Sequence, residues 1–174
     1  GGTITLQSER GRGTTVTVTL TLPAATPEDL ARYRSRQLAQ DHPESNKPLH
    51  GRILLAEDNV INTEIATRIL RGFNLQVDAV RNGQAALDKF TAAAPGTYDV
   101  ILLDIQMPIL DGYQTAAKLR ALERPDVAQL PIIAMTADVF ADAVAKSKAA
   151  GMNDHVAKPI DSQALYATLA QYLS

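Results

Sequence analysis

The sequence predicts an α/β fold, a doubly wound five-stranded parallel sheet, and three observations carry that reading. From Gly51 to the end of the 174-residue chain, short apolar runs alternate with helical stretches in five successive β/α units. Two of the runs, "VILLD" and "IIAMT", are apolar throughout, as strands covered on both faces must be. Helix ends are punctuated as well. Gly72 and Gly151 follow helical runs as C′ residues, and Asp161 and Ser162 open the last run.

Before those units, residues 1–23, "GGTITLQSERGRGTTVTVTLTLP", alternate threonine with Val16, Val18, Leu20 and Leu22 around an "ERGRG" turn. Strand period and strand composition predict a β-hairpin. A lone hairpin with an apolar face is unstable in water, so it must pack on another body or pair edge to edge with a second copy as a dimer. Residues 24–50 hold Pro27, Pro43 and Pro48 with few large apolar residues, and read as a linker. Within it, Thr26 as N-cap, Pro27 at the first helical position and acids in the first turn predict a short helix. Arg32, Arg34 and Arg36 read as its solvated face, and His42 and His50 as solvent-exposed.

Residues 51–174 then run "RILLAE" into "NTEIATRILRG", "LQVDAV" into "NGQAALDKFTAAA", and "YDVILLD" into "DGYQTAAKLRALE". "LPIIAMT" into "DVFADAVAKSKAAG" and "DHVAKP" into "DSQALYATLAQYL" complete the set. Each crossover is expected to be right-handed, with "VILLD" and "IIAMT" as central strands.

Composition bounds the chemistry. The chain has no cysteine, which excludes a disulfide frame, a thiolate nucleophile and a zinc-thiolate site, and suits a reducing cytoplasm. A formal net charge of -2 gives no basic footprint for nucleic acid or an anionic membrane surface. No apolar run spans a bilayer, and no signal-peptide layout stands at the start. Opening "GGTITL" without an initiator Met, the chain reads as a piece of something longer.

In open α/β sheets, ligands bind outside the carboxyl ends of the strands. Those ends carry Glu57 and Asp58, then Asp104, Thr136 and Lys158. A carboxylate such as Asp104 at the rim of an apolar core is costly unless compensated, and three carboxylates crowded together repel unless a cation sits among them. A hard divalent ion such as Mg2+ resolves that conflict. Lys158 supplies a point charge for Asp104 and for phosphoryl oxygens, Thr136 a hydroxyl, and Ala137 an open approach. A carboxylate so held can act as a nucleophile on phosphorus. No G-x-G-x-x-G follows the first strand, which argues against a dinucleotide site.

"LLAEDN", "LLDIQMPILDG", "IIAMTA" and "VAKPI", in that order, make residues 51–174 resemble a response-regulator receiver domain, which is flavodoxin-like in fold. The resemblance implies that Asp104 is the phosphoacceptor, that Glu57, Asp58, Asp104 and the backbone carbonyl of Gln106 hold Mg2+, and that Thr136 and Lys158 contact the phosphoryl group. It implies a cis Lys158-Pro159 peptide, a rotamer switch through Thr136 with His155 in place of the family's aromatic, and Gln106 and Asp138 as residues tuning phosphoryl lifetime. Residues 1–23 resemble the last strands of a histidine-kinase ATP-binding domain, through the glycine pair, the "S-x-x-G-x-G-T" turn and the closing proline. That domain's nucleotide-binding boxes are missing, so this chain is not expected to be a kinase by itself. The order implies a receiver at the end of a membrane-bound hybrid sensor kinase, within its cytoplasmic portion and without membrane contact of its own. Its partners would be the kinase phosphoacceptor domain and a histidine phosphotransfer domain. The rival readings are a phosphorylation-independent interaction module and a haloacid-dehalogenase-type phosphatase; the latter wants an acid where Gln106 stands.

Overall fold

A computed structural model describes residues 2–11, 13–21, 26, 47–137 and 141–173. The helix expected after Thr26, the Arg32 to Arg36 triplet, His42 and Asp138 lie outside the described residues. The chain divides into two compact units, residues 1–41 and 42–174.

In the first unit, strands β1 (Gly2–Glu9) and β2 (Gly13–Leu20) pair antiparallel, with Ile4 opposite Val18 and Leu6 opposite Val16. Because side chains alternate along a strand, this register gathers Ile4, Leu6, Val16, Val18 and Leu20 on one face and Thr3, Thr5, Thr15, Thr17 and Thr19 on the other. Every residue of both strands is exposed. Gly11 and Gly13 close the turn at φ 85° and 104°, values that side chains rarely adopt.

The second unit contains β3 (Arg52–Ala56), α1 (Val60–Gly72), β4 (Gln76–Val80), α2 (Gly83–Ala92) and β5 (Val100–Asp104). It continues with α3 (Gly112–Arg120), β6 (Ile132–Thr136), α4 (Ala141–Ala149), β7 (Asp154–Ala157) and α5 (Ser162–Leu169). The five strands are parallel in the order β4-β3-β5-β6-β7. "VILLD" is the central strand, buried at every position, and β3 and β6 flank it.

Alternation along these strands feeds two cores. Ile53, Leu55, Leu102, Ile133 and Met135 pack with Ala66 and Leu70 of α1 and Leu165 and Leu169 of α5. Leu54, Ile101, Leu103 and Ile132 pack with Ala86 and Phe90 of α2 and Ala116 and Leu119 of α3. Leu49, which the sequence places in the linker, is buried in the first core and donates its backbone N–H to Phe73 O at 3.0 Å.

One terminus corrects the sequence reading. Gly72 is the last residue of α1, and the left-handed position after that helix belongs to Asn74 at φ 69°. Asparagine tolerates this conformation nearly as glycine does, so the helix runs through Gly72 before turning. Gly151, by contrast, is left-handed at φ 88° just past α4, and Asp161 caps α5 by accepting from Ala164 N.

Candidate functional site

Sheet order reverses between β3 and β5, where Glu57 directly follows the first strand and Asp104 ends the second. A cavity of about 580 Å³ opens at this point, lined by Glu57, Asp58, Asp104, Gln106, Thr136 and Lys158 among others. Five strand-end residues separated by up to about a hundred positions thus meet because parallel strands discharge at one edge.

Lys158 is the cation on the cavity floor. Its Nζ lies 2.6 Å from Glu57 Oε2 and 2.8 Å from Asp104 Oδ2. Asp104 is 5% exposed, and its Oδ1 accepts from the Gln106 backbone N–H at 3.1 Å. Burial raises the Asp104 carboxyl above the usual carboxylate range, only partly opposed by its hydrogen bond from Lys158. For Lys158 burial acts the other way, but the adjacent carboxylates of Asp104 and Glu57 prevail and hold the ammonium above its ordinary value.

The β3–α1 junction fixes Glu57. Asn59 caps α1, its Oδ1 accepting from the backbone N–H of Ile61 and Asn62, while Asn62 Nδ2 donates to Glu57 Oε1 at 3.0 Å. Thr63 Oγ1 donates to the carbonyls of Glu57 and Asn59. The sequence reading did not single out these three. An Asn before a helical run is a recognisable N-cap signal, but the reach of Asn62 back to Glu57 depends on the path of the chain.

Gly112 explains the "DG" that follows the site. A Cβ there would stand 2.4 Å from Asp104 O, so only glycine lets α3 start against the strand end. Asp111 caps that helix in a capping box with Gln114. Tyr113, the next residue, lines the cavity and carries Lys146 Nζ 4.8 Å from its ring centroid.

The remaining candidates are placed as follows. Thr136 is buried at the end of β6, and its carbonyl accepts from Lys158 N at 2.8 Å. The Lys158-Pro159 peptide is cis. His155 sits on edge strand β7 opposite Ala134, about one-third exposed, with Nδ1 3.7 Å from Asp154 Oδ1. It lines a separate small cavity with Val144, Ser147 and Met152, apart from the acidic one.

Could this donor set hold a divalent cation? Ligand oxygens of Glu57, Asp58 and Asp104 lie within 4.8 Å of one another. Glu57 Oε2 is buried, and among the described residues it has an ion-pair contact but no well-aligned hydrogen-bond donor. Three hard oxygen donors, one of them with unused acceptor capacity, suit Mg2+ in type and number.

Comparison with known proteins adds context to this geometry. A family model described as the response regulator receiver domain matches residues 53–170. The aerobic respiration control sensor protein ArcB of Escherichia coli K12 is 34% identical over 174 residues, a match covering 99% of this chain and 20% of ArcB. This chain therefore spans a minor part of that relative. Among solved structures, the receiver domain of the sensor histidine kinase PA1611 from Pseudomonas aeruginosa PAO1, with a magnesium ion coordinated in its active site cleft, matches at 34% identity and a TM-score of 0.63. That match covers 71% of this chain and 97% of the other. A chain of the Saccharomyces cerevisiae co-crystal of the histidine phosphotransfer protein Ypd1 with the Ssk1 receiver domain matches at 26% identity and TM-score 0.63, covering 71% of this chain and 89% of that one.

Proposed function

The chain belongs to the response regulator receiver family, and from that premise we propose that it is the receiver of a hybrid histidine kinase, accepting a phosphoryl group on Asp104 from a phosphohistidine and passing it to a histidine phosphotransfer domain. The observation that carries this reading is the buried Asp104 carboxylate held 2.8 Å from Lys158 at the floor of an acidic cavity. Resemblance to ArcB across nearly the whole chain supports the same layout, with residues 1–23 as the end of a kinase ATP-binding domain, 24–50 as linker and 51–174 as receiver.

In the reaction, an Asp104 oxygen attacks phosphorus as the P–N bond to the donor imidazole breaks. The imidazole nitrogen leaves with the bonding pair and takes up a proton, so the histidine departs neutral. An acyl phosphate results. Lys158 neutralises charge on the phosphoryl oxygens and Thr136 offers them its hydroxyl. Glu57, Asp58, Asp104 and the Gln106 backbone carbonyl would hold Mg2+, which when bound neutralises charge on the transferring group. Gln106 and Asp138 would set how long the acyl phosphate survives, and Thr136 with His155 would report it. Among the described residues no helix is long and apolar enough to cross a membrane; the proposed place of this receiver is the cytoplasmic portion of a larger sensor.

Intact mass after incubation with acetyl phosphate and Mg2+ tests the proposal. Wild type is expected to gain one phosphoryl group and Asp104→Asn none. No gain by wild type, with Mg2+ binding verified separately, would reduce the pocket to an interaction surface.

A further inference from the structure

Resting on the Mg2+ reading of the acidic cavity, we propose that Asn62 is a positioning residue that selects a small divalent cation, by pinning one oxygen of Glu57 and leaving the other to face the ion. The two oxygens of Glu57 have different surroundings. Oε1 accepts from Asn62 Nδ2 at 3.0 Å and from the Asn59 backbone N–H at 3.4 Å. Oε2 lies 2.6 Å from Lys158 Nζ, without a well-aligned donor among the described residues. The same carboxylate belongs to the oxygen cluster with Asp58 and Asp104.

Local helix chemistry does not account for Asn62. It is the third residue of α1, a position that ordinarily takes Glu or Gln, whose side chain reaches back to the cap N–H and, for Glu, meets the positive end of the helix dipole. Asparagine is a poorer helix former than either. In this helix the cap residue is Asn59, and its N–H is directed to Glu57, not to the third residue. An acid at position 62 would set a fourth carboxylate beside Glu57, Asp58 and Asp104, whereas asparagine supplies a neutral donor. The first turn of α1 accordingly carries no acid.

Glu57 is 1% exposed, so its carboxylate takes its orientation from these contacts and not from water. With Oε1 held, the group presents a single oxygen in a fixed direction. Mg2+ demands near-ideal octahedral geometry at about 2.0–2.1 Å and keeps several waters, which suits single oxygens rigidly placed. Ca2+ is larger, accepts carboxylates through one oxygen or both, and tolerates irregular geometry. Freed from Asn62, the carboxylate turns about its terminal bond and offers both oxygens to a large ion or to Lys158. Asn62 thus sets which ion the acidic cavity prefers, acting through Glu57.

Isothermal titration calorimetry of the 174-residue chain with MgCl2 and with CaCl2 tests the assignment. Asn62→Ala removes the donor, and Asn62→Leu removes it while keeping a side chain of similar reach; both replacements are good helix formers. In variants that melt as cooperatively as wild type, the Kd for Mg2+ is expected to rise about tenfold and that for Ca2+ by less than about threefold, so that preference shifts toward Ca2+. Loosening of the helix alone would weaken both ions alike, and equal losses therefore overturn the proposal. So does an unchanged or lower Kd for Mg2+. Absence of Mg2+ binding by wild type would instead overturn the metal assignment beneath the proposal, and the proposal with it.

Discussion

Lys158 makes the acidic cavity tolerable. With it, the buried carboxylates of Glu57 and Asp104 share one ammonium at 2.6 and 2.8 Å. Without it, they confront each other across low dielectric. Lys158→Ala is therefore expected to lose about 3 kcal/mol of stability in metal-free buffer. Since the same carboxylates are the candidate ligands, Mg2+ should raise the melting temperature of the variant more than that of wild type. Equal increments would show that Lys158 and the ion do not compete for the same charge. These residues were legible in the sequence because each ends an apolar strand, and strand ends of a parallel sheet converge by topology alone. Asn62 and Tyr113 were not, because their roles depend on how a cap or a turn bends, which periodicity does not encode.

At the scale of elements, Arg124 fastens the end of α2 to the loop before β6. Its guanidinium donates to Phe90 O at 2.6 Å and Ala93 O at 2.9 Å, carbonyls at the end of the helix. It also pairs with Asp126 at 2.8 Å and lies 4.2 Å from the Phe90 ring centroid. Arg124→Ala should cost about 2 kcal/mol in urea unfolding. The pair has a pH signature too. Hydrogen bonding to Arg124 holds the Asp126 carboxyl down at about 2, against about 3.9 in an unfolded chain. A depressed folded pKa contributes stability that is complete above the unfolded value and disappears as pH falls through the folded one. The stability gap between wild type and Asp126→Asn should thus be constant above about pH 5 and close between about pH 4 and 2. A gap flat across that window would mean the pair is not formed in solution. Strand and helix order could be read from the "VILLD" and "IIAMT" runs and the alternation around them, whereas this clasp could not, since Arg124 and Phe90 are joined only by the fold.

The whole molecule comprises two bodies of different character. The 42–174 unit buries two cores, while β1 and β2 hold Ile4, Leu6, Val16, Val18 and Leu20 on one uncovered face. A hairpin of this kind gains by pairing with its like. The chain is expected to sediment increasingly as a dimer with rising concentration, and a chain starting at Lys47 to remain monomeric with the same melting temperature. Persistence of the dimer after that truncation would move the contact elsewhere. The sequence disclosed the hairpin through its threonine alternation; what its apolar face meets is a property of another surface and is not written in these residues.

The two cores do not divide the 42–174 unit into halves. Neighbours on one strand, Leu54 and Leu55, or Leu102 and Leu103, serve opposite cores, so losing either core releases the strand that the other depends on. Asp104 terminates the strand at the middle of this arrangement. The buried amides of Ile101, Leu102 and Leu103 on that strand are consequently expected to exchange their hydrogens only when the entire unit opens. The strand that ends in Asp104 is thereby expected to be as durable as the fold itself.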